Sequence, residues 1–145
     1  MSLPASRTQA SEPAPSIALN VAARRRGSIL VIDDEPTITK AVRRILAPEH
    51  EVVALGSAAR ALERIVAGER FDVILCDLMM PEMTGIYLYV ELTRLAAEQA
   101  SRMIFLSGGA FTVRARAFLD QVPNQRIEKP FGAPYLRSLI NDRIR

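Results

Sequence analysis

Two patterns of apolar and polar positions alternate from Ser28 to the end of the chain. Ser28–Ile32 is a short apolar run that stops at Asp33-Asp34. Past Pro36, a residue suited to a helix's first turn, Ile38, Ala41, Val42, Ile45 and Leu46 recur at the spacing of one helical face. Pro48 ends that helix. Glu51–Leu55 predicts a second strand, and Gly56-Ser57 a turn whose hydroxyl can cap the next helix. Ala58, Ala61, Leu62, Ile65 and Val66 repeat the helical spacing, with Gly68 placed as C-cap. Phe71–Cys76 is apolar except for Asp72 and runs into Asp77, as a strand buried on both faces would. Pro81 and Gly85 bracket a loop, and Leu88, Leu92, Leu95 and Ala96 mark a third helix. Met103–Leu106 predicts a fourth strand, Val113–Gln121 a fourth helix and Arg126–Glu128 a fifth strand. Leu136, Leu139, Ile140 and Ile144 mark a last helix. Five strands alternating with five helices predict an α/β fold, a parallel sheet with helices on both faces.

The first 27 residues lack this order. Pro4, Pro13 and Pro15 lie among Ser, Thr, Gln, Ala and Glu, which predicts a disordered linker over 1–27, with a vector scar compatible at Met1–Leu3, and a domain over 28–145. Charge follows the same division. The formal net charge is +3. Arg7, Arg24, Arg25 and Arg26 against Glu12 account for it, and the remaining cations and anions balance. The basic character therefore belongs to the tail, and no direct nucleic-acid contact is expected of the domain. A single cysteine, Cys76, excludes an intrachain disulfide and fits a reducing, cytoplasmic setting. No apolar run reaches the roughly 18–20 residues of a membrane span, and the arginines follow the stretch Ile17–Ala23 where a secretory signal would place its charges before it.

Chemistry-bearing residues gather at the carboxyl ends of the strands. Asp33 and Asp34 follow the first, Asp77 ends the third, Ser107 follows the fourth and Lys129 the fifth. Ligands in open α/β sheets bind at that edge, near the reversal of strand order. Taken singly, Asp34 reads equally well as an N-cap, Ser107 as a turn residue and Lys129 as a solvated cation. Together they describe a crevice. Two carboxylates about 4 Å apart repel by about 4 kcal/mol at an effective dielectric near 20, so three demand a cation. An oxygen-only cluster suits Mg²⁺, or Mn²⁺. Opposing ammonium and hydroxyl donors suit a phosphoryl group, and Asp77 is a candidate nucleophile because a carboxylate can form an aspartyl-phosphate.

These residues resemble the receiver domain of two-component response regulators. The resemblance covers Ser28–Arg145 and rests on Ile29–Glu35 (ILVIDDE), Asp77–Gly85 (DLMMPEMTG), Ser107-Gly108-Gly109 and Glu128–Phe131 (EKPF), with 43 residues from Asp34 to Asp77, 30 more to Ser107 and 22 more to Lys129. It implies a flavodoxin-like sheet of order 2-1-3-4-5. Asp77 would accept a phosphoryl group from a phosphohistidine on a histidine kinase or histidine phosphotransfer protein. Asp34, Asp77 and the Met79 backbone carbonyl would ligate Mg²⁺, with Asp33 acting through water. Ser107 and Lys129 would contact the phosphoryl group, and the Lys129–Pro130 peptide would be cis. The face of the fourth helix, fifth strand and fifth helix would reach a downstream partner. The isolated chain would catalyse only its own phosphorylation and dephosphorylation. The Pro/Ala/Ser lead and Ser107–Phe111 further suggest the C-terminal receiver of a hybrid sensor histidine kinase, with a standalone regulator as the other possibility.

One position departs from the family. An aromatic residue usually stands three places before the lysine and swings inward on activation; here it is Arg126, whose charge resists burial. This predicts a muted or differently built switch. Two other functions compete with the receiver reading: an interaction module that works without phosphorylation, and a metal-dependent phosphatase. The second lacks the expected further aspartate two residues after Asp77. His50, the only histidine, reads as a surface loop residue. Tyr87 and Tyr89 read as packing residues, Cys76 as a buried thiol, and Gly108 and Gly109 as a flexible turn that could also leave an acyl phosphate open to water.

Overall fold

A computed structural model describes residues 26–80, 83–108 and 112–144. The linker expectation for 1–25, and those for Pro81, Glu82 and 109–111, lie outside the described residues. Five strands, β1 (Ser28–Ile32), β2 (Glu51–Leu55), β3 (Val73–Asp77), β4 (Met103–Gly108) and β5 (Arg126–Lys129), form one parallel sheet of order β2-β1-β3-β4-β5. The helices are α1 (Pro36–Leu46), α2 (Ala58–Val66), α3 (Gly85–Leu95), α4 (Val113–Gln121) and α5 (Ala133–Ile144). A single further turn, Ala97–Ala100, follows α3. Strand order reverses between β1 and β3, so the crevice at their carboxyl ends is the place where Asp33 and Asp77 emerge.

Alternation along the strands builds two cores. Leu30, Ile32, Ile74, Cys76, Met103 and Phe105 face α2, α3 and α4. Ile29, Val31, Val73, Leu75, Ile104 and Leu106 face α1 and α5. Continuous apolar runs are needed because each central strand is covered on both sides. Cys76 is buried as expected and faces away from the side of Val73, Leu75 and Asp77. Hydroxyl caps start three helices: Ser57 accepts from the Arg60 N–H, Thr84 from the Tyr87 N–H and Thr112 from the Ala115 N–H. Gly68 takes φ +115° just past α2, a conformation that favours glycine at a helix end.

Several residues sit elsewhere than their local sequence suggests. Gly108 is the last residue of β4, in register with Lys129, and not part of a turn. Tyr89 packs edge-on against Phe105 and Phe118, but Tyr87 is half exposed. Gln99 is buried, its amide pairing with both the N–H and the carbonyl of Phe71, as a strand neighbour would.

His50 departs furthest from expectation. It is buried, not on the surface. Its Nδ1 accepts the Gly27 N–H at 2.9 Å, which places the proton on Nε2, and Nε2 donates to Asn141 Oδ1 at 2.7 Å. Asn141 in turn donates to Glu49 at 3.0 Å. The ring ties the start of the domain to α5. Between Glu49 and Glu51 it has a loop residue's neighbours, and only the packing of α5 reveals the site. His50→Ala leaves the Gly27 N–H and the Asn141 carbonyl without this partner; the expected loss is about 1–3 kcal/mol in a urea titration.

Candidate functional site

The sheet brings the sequence-selected residues together. Asp33 follows β1 and is fully enclosed, Asp77 ends β3, Ser107 lies on β4 and Lys129 ends β5. Asp34 is exposed at the rim. One carboxylate oxygen from each of Asp33, Asp34 and Asp77 falls within 4.8 Å of the others. A pocket of about 370 Å³ over them is lined by Asp34, Asp77, Met79, Ser107, Gly108 and Lys129 together with Glu35 and Leu78. Asp34 does not serve as the cap of α1. That position belongs to Glu35, whose side chain makes no capping bond.

Lys129 is the cation of this crevice. Its Nζ donates to Asp33 Oδ2 at 2.8 Å and lies 3.4 Å from Glu35 Oε1 and 3.6 Å from Asp77 Oδ1. Burial works against its charge, but the Asp33 hydrogen bond and the fields of Asp77 and Asp33 outweigh it and raise its pKa. Asp33 is oriented from the other side by the Glu35 N–H at 2.9 Å. Asp77 pays most for the crowding. Burial first, and the Asp33 carboxylate next, push its pKa to about 6, against the pull of Lys129 and the Met79 N–H, with Asp34 adding to the rise. Burial likewise pushes the Cys76 thiol up, so it stays protonated and unreactive.

Two observations test whether this crevice suits a cation and an anionic group. The oxygen-only donor set and the raised Asp77 pKa describe carboxylates short of positive charge, which a hard cation supplies. Ser107 Oγ is buried without a hydrogen-bond partner among the described residues, which leaves a hydroxyl donor open to an anionic group. The Lys129–Pro130 peptide is cis, as the resemblance implied.

The model of the response regulator receiver domain matches residues 29–141. The chain belongs to that family. The receiver is similar to a response regulator receiver domain protein from Clostridium thermocellum, with 28% identity and a TM-score of 0.68 over 80% of this chain and 92% of that one. It is 30% identical over 118 residues to the transcriptional regulatory protein DltR of Streptococcus agalactiae, covering 81% of this chain and 51% of that protein. A 61-residue stretch is 43% identical to the hydrogenase transcriptional regulatory protein HoxA of Bradyrhizobium diazoefficiens, covering 42% of this chain and 12% of HoxA. The receiver thus spans about half of one curated relative and far less of the other. Receivers are two-component signalling modules that bind Mg²⁺ at an acidic pocket and interact with histidine kinases and effectors, and this chain carries an aspartate cluster, Asp33, Asp34 and Asp77, at the carboxyl edge of its sheet. No helix among the described residues is long and apolar enough to cross a membrane.

Three features of the site escape a reading of the sequence. Glu35 reaches Lys129, Gly85 lets α3 close against Asp77, and a second cleft of about 690 Å³ opens beside Asp34, lined by Ser57, Met80, Met83, Thr84, Tyr87 and Arg114. Glu35 has a signal, an acid directly after an acidic pair. The other two depend on how loops meet.

Proposed function

We propose that the receiver is a phosphoacceptor switch in which Asp77 takes a phosphoryl group from a partner's phosphohistidine. The observation that carries this is the crowding of Asp33, Asp34 and Asp77 beside the Lys129 ammonium and the unpartnered Ser107 hydroxyl. Asp34, Asp77 and the Met79 carbonyl would hold Mg²⁺, with Asp33 acting through water. When bound, Mg²⁺ supplies the positive charge that lets the carboxylates and the phosphoryl oxygens share one crevice. An Asp77 carboxylate oxygen attacks phosphorus, the P–N bond breaks, and its electron pair leaves with the imidazole, which takes up a proton. Lys129 neutralises a phosphoryl oxygen and Ser107 donates a hydrogen bond to another. Hydrolysis of the acyl phosphate resets the domain. The setting is cytoplasmic, and the domain over 28–145 fits either a standalone regulator or the C-terminal receiver of a hybrid histidine kinase.

Incubation with acetyl phosphate and Mg²⁺, read by intact mass, tests the reading. One phosphoryl group per chain supports it. No incorporation would instead favour an interaction module that works without phosphorylation, and multiple turnover of unrelated phosphoesters a phosphatase.

Output runs through α4, β5 and α5, where Val113 and Tyr135 present apolar surface. Arg126, opposite Phe105 in register, is exposed there. Burying its guanidinium unpaired would be costly, so switching proceeds without an inward swing at this position. Structures with and without beryllofluoride are expected to place Ser107 differently while Arg126 stays solvated; a large inward rotation of Arg126 would refute this.

A further inference from the structure

Glu35 occupies the N-cap position of α1, with φ −94° and ψ 112°, yet its side chain makes no bond to the helix it begins. Ser, Thr, Asp or Asn there would turn a short side chain onto the free N–H groups of the first turn, and the longer glutamate is free to reach elsewhere. The Glu35 carboxylate instead lies 3.4 Å from Lys129 Nζ. Its backbone N–H holds Asp33, the other close partner of the same ammonium. Of the three carboxylates around Lys129 among the described residues, Asp33 and Asp77 belong to the acidic cluster and Glu35 does not. A metal ion on the cluster draws electron density from Asp33 and Asp77 and weakens their hold on the ammonium. Glu35 is the carboxylate left to Lys129 alone.

We infer that Glu35 is a positioning residue: its carboxylate keeps the Lys129 ammonium at the crevice when the aspartates are engaged by a metal, and yields it to the phosphoryl group once Asp77 is modified. The exposure of Glu35 suits this task. At 64% exposed against 12% for Lys129, the pair is solvated on one side and weak enough to be exchanged. A phosphoryl oxygen deeper in the crevice meets the same ammonium with less water around it and wins.

The inference rests on the phosphoacceptor reading, and the test separates the two. Beryllofluoride is titrated by calorimetry at saturating Mg²⁺ into the native chain, Glu35→Gln and Glu35→Asp. Without its competitor, Lys129 should bind the analogue more readily, so Glu35→Gln is expected to tighten binding about three- to fivefold, with Glu35→Asp between the two. In the Mg²⁺-loaded protein before beryllofluoride, the ¹⁵N signal of the Lys129 ammonium should lose its ordered character in Glu35→Gln and regain it after. The same substitution on a Lys129→Ala background should leave the affinity unchanged. An equal gain on that background would mean that Glu35 acts through its bulk charge and would overturn the inference. So would a Glu35→Gln protein with native affinity and a native Lys129 signal. A native chain that took neither beryllofluoride nor phosphate would overturn the phosphoacceptor reading itself, and this inference with it.

Discussion

Asp77→Asn is expected to abolish phosphoryl incorporation while making the metal-free domain more stable. The first effect follows from removal of the attacking carboxylate, since an amide oxygen does not form the acyl phosphate. The second follows from electrostatics. The pKa of Asp77 is raised to about 6 from an ordinary value of 3.8, chiefly by burial and by Asp33. The folded state therefore binds this proton more tightly than the unfolded state does. Stability from this group is fully present below about 3.8 and is lost as pH rises through about 6. Above that, the native protein carries an ionised, crowded carboxylate that asparagine lacks. Allowing for solvent screening at the open face of the crevice, the variant should be more stable at pH 7.5 by about 1–2 kcal/mol. Lys129 keeps Asp33 and Glu35, so little is lost on its side. Urea titrations at pH 7.5 and 4.5 without metal check the sign: the gap should narrow at the lower pH. Saturating Mg²⁺ should favour the native chain, by about 2.7 kcal/mol at a hundred times its dissociation constant. A native protein more stable than the variant at pH 7.5 without metal would show that the crowding costs nothing.

Gly85→Ala should damage both fold and site. Gly85 opens α3 directly behind the end of β3, and its N–H donates to the Leu78 carbonyl at 3.2 Å. A Cβ there would stand 2.5 Å from the Asp77 carbonyl oxygen and 3.2 Å from both Cys76 Sγ and the Leu78 Cα. The obstruction is mostly backbone, which cannot rotate aside as a side-chain tip can. Either α3 lifts or the end of β3 moves, at a cost of about 2–3 kcal/mol. Displacement of β3 carries Asp77 with it, so phosphorylation should slow even where the variant still folds. Gly132→Ala is the control, because its Cβ would meet only Pro134 Cδ at 3.9 Å. The two are compared by urea midpoint and by the rate of mass gain with acetyl phosphate. Equal midpoints would mean that the α3 approach has slack the structure does not reveal.

Much of this site is legible in the chain's own pattern. Asp33, Asp34, Asp77, Ser107 and Lys129 all stand where an apolar run ends, and in a parallel sheet such ends share one edge. Their convergence needs no knowledge of individual contacts. Gly85 is legible only as loop punctuation, because its real constraint is the closeness of the Asp77 carbonyl. His50 and Gln99 are illegible for a related reason. Each is a polar residue satisfied by partners distant in sequence, Gly27 and Asn141 for one and Phe71 for the other.

The order of strands and helices, their faces and the residues at the carboxyl edge of the sheet are local properties. Hydrophobic periodicity records which side of each element loses contact with water, and that is written within a few turns of chain. The partnerships are not local. The pairing of Lys129 with Glu35, 94 residues away, and the bond of His50 to Asn141, 91 residues away, exist because the packed sheet and helices bring those groups together. Distance and burial set the Asp77 pKa and leave the Ser107 hydroxyl without a partner among the described residues, and both arise only once the strands lie side by side. The sequence by itself determined which groups reach the crevice; the tertiary structure decided how strongly they crowd and which of them hold one another.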